Sequence, residues 1–193
     1  MGRKIIPRSV ILITGTPGSG KTTLAKAWCK KSGWTYLGLN DLVNEKKLYT
    51  SIDPEDGAKV VQLQKLESEA NRTITKTVPS MVVEGHLGCD IKLAVDRVLV
   101  LRLRPDELRS RLSERSYALS KIDENVMAEM LDYCTLQAQA KYGVRRVYEI
   151  DTTDRTPGQN LANFSLFLSS TNPNKTHPAS VSWSKELQEA VLS

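Results

Sequence analysis

Fourteen consecutive residues constrain the fold of this chain more than any others: Val10-Ile11-Leu12-Ile13-Thr14-Gly15-Thr16-Pro17-Gly18-Ser19-Gly20-Lys21-Thr22-Thr23. An apolar, β-branched run ends in a glycine-rich turn, and Leu24, Ala25, Ala27 and Trp28 follow at helical spacing. The pattern is that of a buried strand running through a tight loop into a helix. Gly15, Gly20, Lys21 and Thr22 fill G-x-x-x-x-G-K-[ST] without a gap, which is the spacing of a phosphate-binding loop. The spacing has a physical cause. Gly15 lets the strand turn sharply, and Gly18 and Gly20 leave room for backbone N–H groups to close on phosphate oxygens. Lys21 is then placed to reach the β- and γ-phosphates of ATP, and the Thr22 hydroxyl to ligate Mg2+. The helix is expected from Lys21 to about Lys31, with its free N–H groups and positive dipole end toward the anion.

The rest of the chain alternates in the same way. Strand-like segments fall at Val10–Thr14, Met81–Glu84, Arg97–Leu103 and Val147–Asp151, and helical patterns at about Gly57–Thr77, Pro105–Glu114, Ile122–Lys141 and Pro157–Ser169. The near-continuous apolar run Val98-Leu99-Val100-Leu101 suits a central parallel strand covered on both faces. Strand–helix alternation predicts an α/β fold, a doubly wound parallel sheet flanked by helices with right-handed crossovers. Ligands in such sheets sit beyond the C-terminal strand ends, where the loop, Glu84 and Arg102 all fall.

At 193 residues the chain is long enough for one domain with a sizeable core. Three scattered cysteines, Cys29, Cys89 and Cys134, argue against a disulfide framework or a zinc site and suit a reducing cytoplasm. Two histidines are too few for a histidine metal cluster. No apolar run approaches the roughly 20 residues of a membrane span, and the run after Arg8 is too short for a signal peptide. The net charge of +5 has two readings, a solvated surface with the arginines a nucleotide kinase needs, or affinity for RNA or another anionic partner.

Two further groups carry chemistry. In Met81-Val82-Val83-Glu84-Gly85-His86 a buried strand delivers one carboxylate at its C-terminal end, where a P-loop protein holds the Mg2+ shell. His86, two residues on, is placed to orient or deprotonate a hydroxyl or a water. Arg111 and Arg115 are four apart and share a helix face, which suits charge spread over a phosphoryl group in flight; Arg109 reads as solvated.

Together these residues resemble the adenylate kinase isoenzyme 6 family, archaeal and eukaryotic nucleotide kinases tied to small-subunit ribosome maturation. The resemblance runs from about Val10 to Ser169. It is carried by G-T-P-G-x-G-K-T-T at Gly15–Thr23, Ser32-Gly33, Asp41-Leu42, Gly85-His86 with Cys89-Asp90, and Val100-Leu101-Arg102. The stretch Arg111-Leu112, Arg115, Tyr117, Lys121-Ile122 and Glu124-Asn125 completes it. It implies a P-loop NTPase of NMP-kinase-like architecture over residues 1–169, with ATP held at Gly18, Gly20, Lys21, Thr22, Thr23 and Arg115. It also implies a monophosphate-binding segment from about Gly38 to Val61, with Asp41 as a substrate contact, and a short lid from about Glu114 to Glu124. Thr22 and Glu84 would hold Mg2+, and Lys21, Glu84, His86, Arg111 and Arg115 would act in catalysis.

Members of that family transfer the γ-phosphoryl group of ATP to AMP or another nucleoside monophosphate. They are also described as ATPases that act with a small-subunit ribosomal protein, and rRNA is a further implied partner. The expected function is thus that of a broad-specificity nucleoside monophosphate kinase that also hydrolyses ATP and assists small ribosomal subunit maturation. The alternatives are a dedicated ribosome-assembly ATPase and another small-molecule P-loop kinase. The chain departs from the family in three places: Glu84 stands where many members carry Asp, Ser116 where the lid usually has glycine, and residues 170–193 have no counterpart. That tail opens with linker composition and ends in Trp183, Leu187 and Val191 spaced four apart, a helix that either packs on its own domain or docks a partner.

Overall fold

The computed structural model describes residues 8–54, 57–169 and 181–192. Strand β1 (Val10–Thr14) lies at the centre of a five-stranded sheet and is buried along its whole length. It pairs in parallel with β5 (Met81–Glu84), Ile13 opposite Glu84, and with β6 (Arg97–Arg102), Ile13 opposite Leu99. β2 (Thr35–Gly38) and β7 (Val147–Asp151) complete the order β2-β5-β1-β6-β7, every pair parallel.

Helices cover both faces because alternate residues of each strand point to opposite sides. Ile11, Ile13, Val82 and Leu99 meet Leu24 and Ala25 of α1 (Lys21–Ser32) and Phe164 and Phe167 of α7 (Pro157–Ser169). Val10, Leu12, Val83 and Val98 meet the other layer, α2 (Leu39–Glu45), α3 (Leu63–Lys76) and α6 (Tyr133–Tyr142). A third cluster joins Leu108 and Leu112 of α4 (Pro105–Glu114) to Ile122, Val126 and Met130 of α5 (Leu119–Met130) and to Trp183.

Two sequence expectations change. The pattern from Gly57 to Thr77 is not one helix: Lys59–Val61 is β4, antiparallel to β3 (Tyr49–Ile52), and α3 begins only at Leu63. The pattern from Ile122 to Lys141 breaks between α5 and α6, where Asp132 is left-handed (φ 54°) and its carboxylate is drawn onto Arg102. A tertiary ion pair overrides helical continuity there. Arg102 ends β6 as expected, and its side chain is buried, 1% exposed, among carboxylates. In the tail, 170–180 and the side chain of Val191 lie outside the described residues, while α8 (Ser184–Leu192) packs on its own domain through buried Trp183 and half-buried Leu187.

Candidate active site

The loop between β1 and α1 is shaped by what surrounds it. Gly15 (φ 131°) passes so close to β6 that a Cβ would sit 2.4 Å from the Leu101 carbonyl oxygen. Gly18 (φ 96°) lies against α4, where a Cβ would meet Leu108 Cδ1 at 2.8 Å. Its glycine is therefore required by helix packing as well as by anion approach. Lys21 is 7% exposed and donates to the Thr16 carbonyl at 2.9 Å; the Ser19 amide donates to the same oxygen at 3.2 Å. Burial pulls the Lys21 ammonium below the usual lysine range, against the opposing pull of Glu84. The buried Ser19 hydroxyl has no hydrogen-bond partner among the described residues.

Across the loop, Glu84 Oε2 accepts from Thr22 Oγ1 at 3.1 Å and from the Tyr36 hydroxyl at 3.0 Å. Burial and then the Glu84 charge push the Tyr36 phenol above its usual range, so it stays a donor. Two hard oxygens 3.1 Å apart suit adjacent positions on an octahedral Mg2+ with bonds of about 2.0–2.1 Å. Thr22 and Glu84 thus fit that ion.

His86 opens a 3-10 turn, His86–Cys89, held by Thr14 Oγ1 and Cys89 Sγ, both donating to the His86 carbonyl at 3.1 Å. Burial, with the nearby Lys21 charge, lowers its imidazole to about 4, so it is neutral at physiological pH. Arg111 joins α4 to the loop, donating to the Gly18 carbonyl at 3.3 Å and pairing with Glu107 at 2.5 Å. Arg115 caps the end of α4 and is exposed; Arg109 is exposed and pairs with Asp123 at 2.7 Å.

A trench of three adjoining cavities runs over the loop. The first, about 310 Å³, lies between the loop, Arg111, Arg115, Arg155 and Asn160. The middle one, about 170 Å³, brings together Gly18, Gly20, Lys21, Thr22 and Thr23 with Glu84, His86 and Arg115. The third, about 550 Å³, lies beyond His86 and Asn40, among Val43, Asn44, Val61 and Leu63. Gly18, Gly20, Thr23 and Arg115 border the first and middle cavities, and Asn40 and His86 the middle and third. Arg111 borders only the first of these. Asp41 borders none of the three: its carboxylate folds back over Gly38, where a Cβ would lie 2.4 Å from Oδ2. Sequence reasoning did not single out Tyr36, Asn40, Arg155 or Asn160. Only the position of Asn40, beside Asp41 at the start of α2, offered a signal.

Comparison with known proteins gives the same architecture a lineage. Residues 11–132 match the family described as "AAA domain". A protein of Methanocaldococcus jannaschii named "Putative adenylate kinase" is 37% identical over 145 residues, 75% of this chain and 77% of that protein. One of Pyrococcus furiosus with the same name is 34% identical over 187 residues, 94% of this chain and 95% of that protein. In fold the chain is similar to a thymidylate kinase from Candida albicans, TM-score 0.55 at 16% identity, covering 86% of this chain and 93% of that one. No helix among the described residues is long and apolar enough to cross a membrane. With its phosphate loop on the central strand of a parallel sheet, the chain belongs to the AAA-domain P-loop family and, within it, to the adenylate kinase-like proteins.

Proposed function

We propose that this chain is a nucleoside monophosphate kinase that moves the γ-phosphoryl group of Mg·ATP to AMP or a related monophosphate. One observation carries the reading: the cavity at Lys21 and Thr22 opens on one side toward Arg111 and Arg155, and on the other toward Asn40 and His86. That shape suits two nucleotides held end to end with the transferred group between them. The names of the relatives, adenylate kinase among them, support the same reaction.

In this reading the loop amides and Lys21 grip the β- and γ-phosphates. On ligand entry Lys21 exchanges the Thr16 carbonyl for a phosphate oxygen. Mg2+, held by Thr22 and Glu84, would supply charge neutralisation on the transferred group. Arg115 borders both donor-side cavities and stabilises the charge that spreads in the transition state. The acceptor oxygen of a monophosphate is already anionic, so catalysis is positioning and electrostatics. The segment from Gly38 to Val61 serves as the monophosphate side, and Glu114 to Glu124 as the lid that excludes water.

ATP hydrolysis is the second reading, and the position of His86 favours it. Water, unlike a monophosphate, must lose a proton, and the imidazole at the junction of the cavities is placed to orient that water or accept its proton. The ribosomal role, with a small-subunit ribosomal protein or rRNA as partner, rests on the family resemblance and on the net charge of +5. Purified protein with Mg·ATP is expected to form ADP faster when AMP, CMP, UMP or GMP is added, with one preferred. No dependence on any monophosphate would remove the kinase reading. Phosphate release without an acceptor, abolished in His86→Ala, would support the second.

A further inference from the structure

The buried charges behind the phosphate loop do not balance by themselves. Arg102 donates from Nε to Glu129 Oε1 at 2.7 Å, from Nη1 to Glu149 Oε1 at 2.5 Å, and from Nη2 to Asp132. Glu129 and Glu149 are 2% and 5% exposed. One guanidinium against three carboxylates leaves charge that neutral donors must meet. Thr135 Oγ1 supplies one to Glu149 at 2.5 Å, and the Leu103 amide one to Glu129 at 3.3 Å.

The C-terminal segment supplies two more. The Trp183 indole donates to Glu129 Oε1 at 3.1 Å and the Val181 amide to Glu149 Oε2 at 3.2 Å, while the Val181 carbonyl accepts from Arg102. The remaining donor belongs to the phosphate loop: Thr16 Oγ1 gives a 2.5 Å hydrogen bond to Glu129 Oε2. One carboxylate therefore has one oxygen shared by Arg102, the Leu103 amide and the tail, and the other held by the loop. Thr16 is also the residue whose carbonyl accepts from Lys21 and Ser19. An apolar route runs beside the polar one, since Trp183 packs in the same cluster as Leu108 and Leu112, the side chains that crowd Gly18.

We propose that Glu129 and Trp183 are positioning residues, and that docking of segment 181–192 sets the phosphate loop through the chain Trp183–Glu129–Thr16. The proposal rests on the reading of this loop as a nucleotide site. A buried carboxylate that loses a donor must turn toward those that remain, and one of them is Thr16. Coupling of this kind is reciprocal: a docked tail strengthens nucleotide binding, and a bound nucleotide holds the tail.

The test uses the full chain with Mg·ADP as probe, in calorimetry and in amide hydrogen exchange. In the wild type, Mg·ADP is expected to slow exchange of the α8 amides, including Leu187, which bonds back to the Trp183 carbonyl. Trp183→Phe keeps an aromatic ring and removes the donor; it is expected to weaken Mg·ADP about tenfold and to raise the KM for ATP in step. Leu187→Ala loosens the packing of α8 without removing a donor from the carboxylate, and is expected to lower thermal stability and to weaken Mg·ADP by less than Trp183→Phe does. Unchanged α8 exchange in the wild type, or wild-type affinity in Trp183→Phe, overturns the proposal. If Trp183→Phe does not fold, the wild-type exchange decides alone. A wild-type chain that binds no Mg·ADP instead overturns the reading of the site itself, and this inference falls with it.

Discussion

The two ends of the trench are built by different physics. On the phosphate-loop side the grip is made by main chain, on a strand buried at every position, with Lys21 itself 7% exposed. Changing it means changing β1 or the glycines that clear Leu101 and Leu108. On the far side the wall includes a hairpin of four and three residues, irregular in register between Tyr49 and Ile52, with Ile52 and Val60 more than half exposed. Its polar groups are replaceable side chains: Asn40, Asn44, and Lys59, which donates to Asn44 and lies 4.8 Å from the Tyr49 ring centroid. In the proposed reading, the difference teaches that phosphate handling is locked into the core while acceptor choice is left to a lightly packed rim. The acceptor preference can therefore change at little cost to the fold.

The contrast breaks most visibly at Lys21. Lys21→Ala is expected to lower turnover on the order of 10⁴-fold for every acceptor alike, read as ADP formation across a monophosphate panel. A loss confined to one acceptor would erase the distinction between the two sides.

The next effect, on stability, comes from His86 at the boundary. The unfolded imidazole takes up a proton near 6.5 and the folded one only near 4. The stability this group contributes is full above about 6.5 and is lost as the pH falls toward 4, by on the order of 3 kcal/mol. Denaturant titrations between those limits are expected to flatten in His86→Gln. An unchanged slope would mean that the imidazole is not held neutral by its surroundings.

Asn40→Ala sharpens the comparison from the acceptor side. It is expected to raise the KM for the monophosphate about tenfold while leaving that for ATP unchanged, in steady-state kinetics with each nucleotide varied. The smallest effect belongs to the segment proposed as the lid. Ser116 adopts φ 57°, a left-handed conformation that costs a non-glycine residue about 1–2 kcal/mol. Glycine removes that cost but gains freedom when unfolded, so Ser116→Gly is expected to stabilise by up to about 1 kcal/mol in chemical denaturation.

The two sides also differ in how legible they were in the sequence. The loop was readable because phosphate binding demands glycine, lysine and threonine at fixed intervals after a buried strand, and β1, β5 and β6 announce themselves by continuous apolar runs. The hairpin was not, because Tyr49–Ile52 and Lys59–Val61 are short and mostly exposed and leave no alternation to read. Asp41 was expected to touch substrate, yet its neighbour Asn40 borders the cavities; seven residues are too few to fix the phase of a helix from sequence. The break at Asp132 carries no glycine or proline, because its cause is Arg102, thirty residues away. The four-residue spacing of Trp183 and Leu187 showed a helix with an apolar face, while its seat on α4 and α5 depended on tertiary contacts alone.

One ligand tests the end-to-end arrangement most directly: a dinucleoside pentaphosphate, two adenosines joined by five phosphates, long enough to occupy both sides at once. The account predicts that one molecule binds per chain in the presence of Mg2+ and displaces both ATP and the preferred monophosphate. Displacement of ATP alone, or two molecules bound per chain, would contradict it.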